Sequence, residues 1–151
     1  MRRKILIIFI MATIAFIWIH SMMQTDVSAK ESGWVMAIIR PFLELFVGKG
    51  NVTQHLVRKL AHFTEFFILG CLACVFFRRA FIRRKRPLVF AAAASSCYGL
   101  AAAVTDELLQ LTSPGRSCQI SDMLLDLSGV LAGTVLLAVL FYFFKRRKEY
   151  D

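Results

Sequence analysis

The sequence lacks the short motifs by which common enzymes are identified. Its 151 residues contain no P-loop, no GxSxG turn and no HExxH zinc motif. Cysteine is scarce as well, with four residues that form no framework. Cys71 and Cys74 have CxxC spacing, but they fall inside an apolar run and no second pair follows, so we interpret them as packing residues. Cys118, in a predicted loop, is left as a candidate free thiol.

Acidic residues are few, since 10 carboxylates oppose 19 lysines and arginines and the formal net charge is +9. In a soluble protein this excess would suggest nucleic-acid binding. Here the basic residues stand in clusters at the ends of apolar runs, as in membrane proteins, so we expect no nucleic-acid partner.

The sequence is rich in apolar residues. They make up 58% of the chain, and they are concentrated in runs long enough to cross a bilayer. We predict an all-α polytopic membrane protein, a single domain over 1–151 with four transmembrane helices. The predicted spans are about 5–20, 58–77, 87–111 and 122–144.

Two segments near the amino end admit a second interpretation. The first apolar run follows three basic residues and could be a signal peptide cut near Ala29. That site lies well beyond the run, so we favour an uncleaved span. In the outward segment 21–57, apolar residues recur at helical spacing over 34–47. This pattern indicates either a helix in the membrane interface, anchored by Trp34, or a loop.

The distribution of basic residues predicts the orientation. Three precede the first span, six lie within 78–86 and four follow the last span, whereas the opposite side has six spread over longer segments. Cytoplasmic loops carry the excess of lysine and arginine, so we predict that both chain ends are cytoplasmic and that 21–57 and 112–121 face outward. We expect a multi-pass protein of the cytoplasmic membrane whose functional face is extracytoplasmic.

Ionisable residues cluster toward the predicted outer ends of three spans. At 1.5 Å per residue, Glu65 lies about 10 Å, Asp106 about 8 Å and Asp126 about 6 Å below the outer surface. The cytoplasmic halves of these spans have almost none. Ionisable groups inside a span are costly and mark function by default. The candidate outer-pocket residues are Lys59, His62, Glu65, Asp106, Glu107, Gln110, Arg116, Asp122 and Asp126. The candidate helix-packing positions are Gly70, Gly129 and Gly133.

Each of these residues also has a purely structural interpretation. His62 could lock two helices together through a carboxylate, Asp122 could cap a helix, and Glu107 could face lipid head groups. A charge at the bilayer centre costs about 3 kcal/mol, and less near the interface, so four or five in one layer exceed what helix packing needs. Because close carboxylates repel, we expect some to be protonated, paired with Arg116, Lys59 or His62, or bound to a cation.

Four strings, in order along the chain, carry a resemblance. They are KLAHFTEFFILG from Lys59 to Gly70, DELLQ from Asp106 to Gln110, PGR from Pro114 to Arg116, and DMLLDLSGVLAG from Asp122 to Gly133. Over about 58–135 the sequence resembles VanZ-like membrane proteins. The usual family pattern has tyrosine where Phe66 stands and often asparagine where Asp126 stands. The candidate pocket therefore loses a hydroxyl group and gains a carboxylate.

The resemblance implies a place, the bacterial cell envelope, more than a chemistry. The founding member of the family is linked to teicoplanin resistance, so an effect on glycopeptide susceptibility is expected. A first hypothesis follows, in which the outward pocket binds a membrane lipid, a lipid-linked wall precursor or a glycopeptide antibiotic.

Two further hypotheses remain open. One is a membrane enzyme acting on a lipid-linked substrate, with a carboxylate and histidine site for a divalent cation or for acid–base work, and with Arg116 holding a phosphate or carboxylate. The other is a proton- or cation-coupled carrier, which four spans and the lack of polar residues toward the cytoplasm make the weakest. No cofactor is evident apart from the candidate divalent cation, and the oligomeric state is not predicted.

Overall fold

The chain folds into four long helices, α1 (Arg3–Met22), α2 (Gln54–Ile82), α3 (Leu88–Gln110) and α4 (Ile120–Tyr150). The structure, a computed structural model, describes residues 3–22, 37–38, 40–45, 48, 50–112 and 119–150, the last six by their backbone alone. Each helix is long and apolar enough to cross a membrane, α4 over Ile120–Phe144. The predicted all-α architecture with four candidate spans is confirmed.

The helices α2 and α4 extend beyond the predicted spans. At the start of α2, Thr53 Oγ1 accepts a hydrogen bond of 3.2 Å from the backbone N–H of Leu56, so the helix begins at Gln54 rather than near 58. Its other end runs through basic residues to Ile82, and α4 continues to Tyr150. Lysine and arginine are good helix formers, so the hydrogen bonding continues where the apolar run stops.

A tight turn joins α2 to α3. The backbone N–H groups of Arg84 and Arg86 both donate to the carbonyl of Phe81, at 3.0 and 3.1 Å, and Lys85 adopts the left-handed conformation with φ of 51°. Such a residue commonly ends a helix. The turn makes α2 and α3 adjacent and antiparallel, and it holds six basic residues of 78–86 at one end of the bundle, which we call the basic end.

The apolar core is formed by one face of α1 and the facing sides of the other helices. Every third or fourth residue of α1 is buried, from Leu6 to Ile17. This is the spacing of one helical face. The core also contains Phe66 and Leu69 of α2 and Val130 of α4. The opposite face of α1 is exposed and apolar, as expected for a helix that borders lipid.

The backbones of α2 and α4 touch through glycines. A Cβ placed on Gly129 would lie 2.5 Å from the carbonyl oxygen of Phe63, and one placed on Gly133 would lie 2.2 Å from that of Phe67. Any larger residue at either position would force the two helices apart. The i,i+4 pair Gly129 and Gly133 therefore lies at a close helix–helix contact, as a GxxxG pattern permits.

A second glycine contact fixes Val130. A Cβ on Gly70 would lie 2.3 Å from the carbonyl oxygen of Val130, and one on Gly99 would lie 2.2 Å from its side chain. The valine thus sits in a notch that α2 and α3 form together. Gly99 was not among the packing positions predicted from the sequence.

Part of the outward segment is helical. Residues 37–38 and 40–45 have helical conformation, and Arg40 Nε contacts Glu44 Oε1 at 2.9 Å across one turn. The apolar side chains of Ile38, Phe42 and Leu45 are exposed. Residues 34–36, 39 and 46–47 of the predicted interfacial helix lie outside the described residues, so its position in the membrane interface stays a prediction.

Candidate functional site

Buried polar side chains of all four helices meet near the end of the bundle opposite the basic end. At the basic end, the Arg3 guanidinium of α1 lies over the Phe76 ring of α2, 5.8 Å from its centroid. The far end of α1 lies beside a different part of α2, where His20 meets Glu65. We define the polar layer as seven residues of this region, namely His20, His62, Glu65, Asp106, Glu107, Gln110 and Asp126.

The carboxylates of this layer are shielded by protein. Asp106 is 0% exposed, Asp126 1% and Glu107 2%. Charged side chains are almost never buried to this degree unless they are paired or bind a ligand. We therefore expect each of these buried carboxylates to be neutralised or to accept hydrogen bonds.

The centre of the layer is a triad from three helices, which we call the central triad. His62 Nδ1 of α2 lies 3.8 Å from Asp126 Oδ1 of α4 and 3.9 Å from Asp106 Oδ2 of α3. Both distances are too long for hydrogen bonds, though short enough for an electrostatic contact. One ligand atom from each of the three residues falls within 4.8 Å of the others.

Asp106 is held by its own helix. Gln110, one turn further along α3, donates a hydrogen bond of 3.0 Å from Nε2 to Asp106 Oδ2. The buried hydroxyl of Ser21 in α1 lies beside Asp106 without reaching hydrogen-bond geometry. The amide of Gln110 thus fixes the orientation of the Asp106 carboxylate from behind.

A histidine that the sequence analysis missed adds α1 to the layer. His20 Nδ1 lies 2.9 Å from Glu65 Oε1, and the His20 ring stacks on the His62 ring with 5.6 Å between centroids and 16° between planes. His20 stands at the predicted outer end of the first span. The depth rule applied to the other three spans would have found it there. The layer is consequently built by four helices rather than three.

Three other predicted residues, Glu107, Lys59 and Asp122, join helix ends. Glu107 Oε2 accepts a hydrogen bond of 2.9 Å from the backbone N–H of Gln119, immediately before α4 begins. A carboxylate is favourable at that position because the helix dipole is positive there. Lys59 Nζ lies 3.0 Å from Asp122 Oδ1 in a partly exposed ion pair between α2 and α4. These contacts tie α4 to its neighbours at the rim of the layer.

The layer contains more acceptors than the described residues can satisfy. Each of the four carboxylates has one buried oxygen that accepts no hydrogen bond from the described part of the chain. These oxygens are Glu65 Oε2, Asp106 Oδ1, Glu107 Oε1 and Asp126 Oδ2. Leaving such an atom unsatisfied costs about 1–3 kcal/mol, and more for a charged group. The layer is therefore suited to protons, a cation or a ligand with hydrogen-bond donors.

Two residues singled out from the sequence cannot be placed. Arg116 and Cys118 fall within 113–118, outside the described residues. The predicted contact of Arg116 with the carboxylates accordingly stays a prediction.

The basic end has a cavity of its own. It has a volume of about 540 Å³ and is lined by four arginines, Arg3, Arg79, Arg83 and Arg84, together with apolar side chains that include Leu6 and Phe76. Positive charge is thus gathered at one end of the helices while the buried carboxylates lie near the other.

Comparison with known proteins yields one family. The family model described as VanZ/LLP1 matches residues 6–144, nearly the whole chain. No match is found among curated proteins or among solved structures. The matched range includes three candidate spans in full, the first span from Leu6 onward, and every member of the polar layer.

Proposed function

The chain belongs to the VanZ/LLP1 family, and from this membership and the polar layer we propose that it is a bacterial cell-envelope protein that binds the polar part of an amphiphile. The bound molecule is a membrane lipid, a lipid-linked wall precursor or a glycopeptide antibiotic. Binding lowers susceptibility to teicoplanin. The supporting observation is the set of buried carboxylates with unsatisfied oxygens, near the end of the bundle away from the basic clusters.

The charge distribution supports an extracytoplasmic position for this site. The turn at 78–86 lies at the same end of the bundle as Arg3, and this end has the larger share of basic residues. Lysine and arginine are retained on the cytoplasmic side of membrane proteins. With that orientation, the polar layer lies just beneath the outer surface, where wall precursors and glycopeptides are found.

The chemistry of the polar layer favours a ligand that has hydrogen-bond donors or a positive charge. Its carboxylates accept hydrogen bonds and attract positive charge, while its two histidines, His20 and His62, already contact carboxylates. Amines, amides and hydroxyl groups would match the unsatisfied oxygens. Burial would strengthen each contact, because the local dielectric constant is low.

A second candidate function is a membrane enzyme that acts on a lipid-linked substrate. The observation in its favour is the central triad, in which an imidazole and two carboxylates lie close enough for acid–base catalysis or for metal binding.

A carrier function is less well supported than either of these two. Toward the basic end, the buried polar residues of the described ranges are Ser95 and Thr134, so no ionisable relay continues across the bundle in those ranges.

The proposed function is tested by measuring teicoplanin susceptibility in a sensitive host at matched membrane levels of each protein. The wild type, Asp106→Asn and Arg116→Ala are compared with Glu44→Gln, which neutralises a carboxylate outside the layer. We expect the wild type and Glu44→Gln to protect, and the other two variants to fail. The proposal is wrong if the wild type gives no protection, and the layer is not its site if Asp106→Asn protects as well as the wild type.

A further inference from the structure

Three potential metal ligands converge at the centre of the polar layer. We propose that His62, Asp106 and Asp126 bind one divalent transition-metal ion, Zn²⁺ or Mn²⁺, through the imidazole Nδ1 and one oxygen of each carboxylate. This inference rests on the geometry of the central triad and does not depend on the antibiotic or lipid proposed above.

The distances between the three atoms suit an ion placed among them. Ligands about 2.1 Å from a tetrahedral metal would be about 3.4 Å from one another. The observed distances from His62 Nδ1 are 3.8 Å to Asp126 Oδ1 and 3.9 Å to Asp106 Oδ2, and the whole set falls within 4.8 Å. The two distances from His62 are a few tenths of an ångström longer than the tetrahedral separation and too long for direct hydrogen bonds, so an ion would draw the ligands together and replace two weak electrostatic contacts with three bonds.

The donor set indicates the class of metal. Calcium takes six to eight oxygens, and magnesium keeps several waters around one or two carboxylates. An imidazole nitrogen combined with carboxylate oxygens suits zinc, and also manganese where oxygen ligands predominate. Three protein ligands leave at least one coordination position open, as in catalytic zinc sites.

A second, independent observation is the presence of buried oxygens with no partner. Asp106 Oδ1 and Asp126 Oδ2 belong to residues that are 0% and 1% exposed, and neither atom accepts a hydrogen bond from the described residues. In a clamp made only of ion pairs, these oxygens would remain unsatisfied in a medium of low dielectric constant. An ion bound to the other oxygen of each carboxylate would offset the negative charge that the two oxygens of that carboxylate share.

The surroundings hold the ligands in place. Gln110 donates to Asp106 Oδ2, an orienting contact of the kind that positions metal ligands. The backbone contact between Gly129 and Phe63 fixes the separation of α2 and α4 next to His62 and Asp126. His62 and Asp126 therefore lie on helices whose separation is fixed by close packing, as a metal site requires.

The experiment uses the full-length protein in lipid nanodiscs, purified without a polyhistidine tag and stripped with a chelator. After dialysis against Zn²⁺ or Mn²⁺, the bound metal per chain is measured by mass spectrometry. Wild type is compared with His62→Gln and Asp126→Asn. The matched controls are His55→Gln and Glu44→Gln, which change an exposed histidine and a carboxylate of the outward segment.

We expect about one ion per chain in the wild type and both controls, and an affinity at least about tenfold lower in His62→Gln and Asp126→Asn. Helical circular dichroism and gel filtration verify that the variants are folded. The inference is overturned if the wild type retains no metal, or if the folded variants bind as much as the wild type.

Absorption spectroscopy of the wild-type protein provides a second test that does not depend on the variants being folded. Cobalt(II) added to the stripped wild-type protein should give visible absorption bands of nitrogen and oxygen coordination, and these bands should disappear when excess Zn²⁺ is added. Absence of the bands in a protein that also retains no Zn²⁺ or Mn²⁺ would show that the triad is an ion-pair clamp. Metal binding and teicoplanin susceptibility are measured separately. A negative result in one experiment therefore does not change the conclusion from the other.

Discussion

The glycine contact between α2 and α4 predicts that Gly133→Ala lowers the free energy of unfolding. Replacing Gly133 by alanine places a Cβ 2.2 Å from the carbonyl oxygen of Phe67 and 3.0 Å from the backbone nitrogen of Cys71. Both atoms belong to the backbone of α2, so neither can rotate away as a side chain would. The two helices must therefore separate by about 1 Å, and a gap of that size removes a quarter to a half of the attraction of each contact it opens.

Two opposing effects set the magnitude of the change for Gly133→Ala. Alanine is favoured over glycine in a helix by about 1 kcal/mol, which would stabilise the variant if the interface could yield freely. Overpacking a close contact costs about 1–3 kcal/mol, and here the obstruction is backbone. Because neither obstructing atom can move aside, we expect the upper part of the overpacking range, about 2–3 kcal/mol, which leaves a net loss of about 1–2 kcal/mol in the free energy of unfolding.

The assay is reversible unfolding in mixed micelles, with denaturing detergent added stepwise and helicity followed by circular dichroism. Val135→Ile is the matched control, because it adds a carbon to the same helix at a side chain that is 57% exposed. This control should unfold like the wild type. A Gly133→Ala protein as stable as the wild type, or more stable, would refute the close backbone packing of α2 on α4.

Two further predictions concern the rim of the polar layer. The partly exposed ion pair of Lys59 and Asp122 should show a coupling energy of about 0–1 kcal/mol in a double-mutant cycle of Lys59→Met and Asp122→Asn, and the value should fall as salt is added. A coupling above this range, or one indifferent to salt, would contradict the partly solvated geometry. Glu107→Ala removes the acceptor of the Gln119 N–H and should lower the free energy of unfolding by about 1–3 kcal/mol. Glu107→Gln retains an oxygen acceptor and should lose less, so equal losses in the same unfolding assay would count against the capping role.

The architecture could be predicted from the sequence because the number of helices follows from the lengths of the apolar runs and the breaks between them. Runs of apolar residues of bilayer length, broken by basic clusters and by Pro114-Gly115, suffice to count the four helices. Helix ends were less accessible. Hydropathy marks where the chain leaves hydrocarbon. The helical hydrogen bonding of α2 begins at the Thr53 cap and stops at the turn that contains Lys85.

Partners within the site could not be assigned from the sequence, because hydropathy and depth do not specify how each helix is rotated. Depth placed Asp106, Asp122 and Asp126 in one region, but it did not distinguish the two that face His62 from the one that pairs with Lys59. His20 was overlooked because it ends the first apolar run and was treated as a boundary. The orientation of the bundle and the role of Arg116 stay predictions.

The way α1 is held has a consequence for how the protein assembles during synthesis. This helix packs against α2 and α3, and His20 contacts Glu65 of α2. The pair can therefore form once the second span has entered the membrane, which shields the Glu65 carboxylate before α3 and α4 are in place. Asp106 meets Gln110 of its own helix and His62 of α2 before α4 arrives, but the central triad is complete only when α4 brings Asp126. The last helix to be made thus completes the setting of the acidic groups already in the bilayer. A chain interrupted before α4 would leave Glu107 without the N–H of Gln119 and His62 without Asp126, and we expect quality-control proteases to remove it.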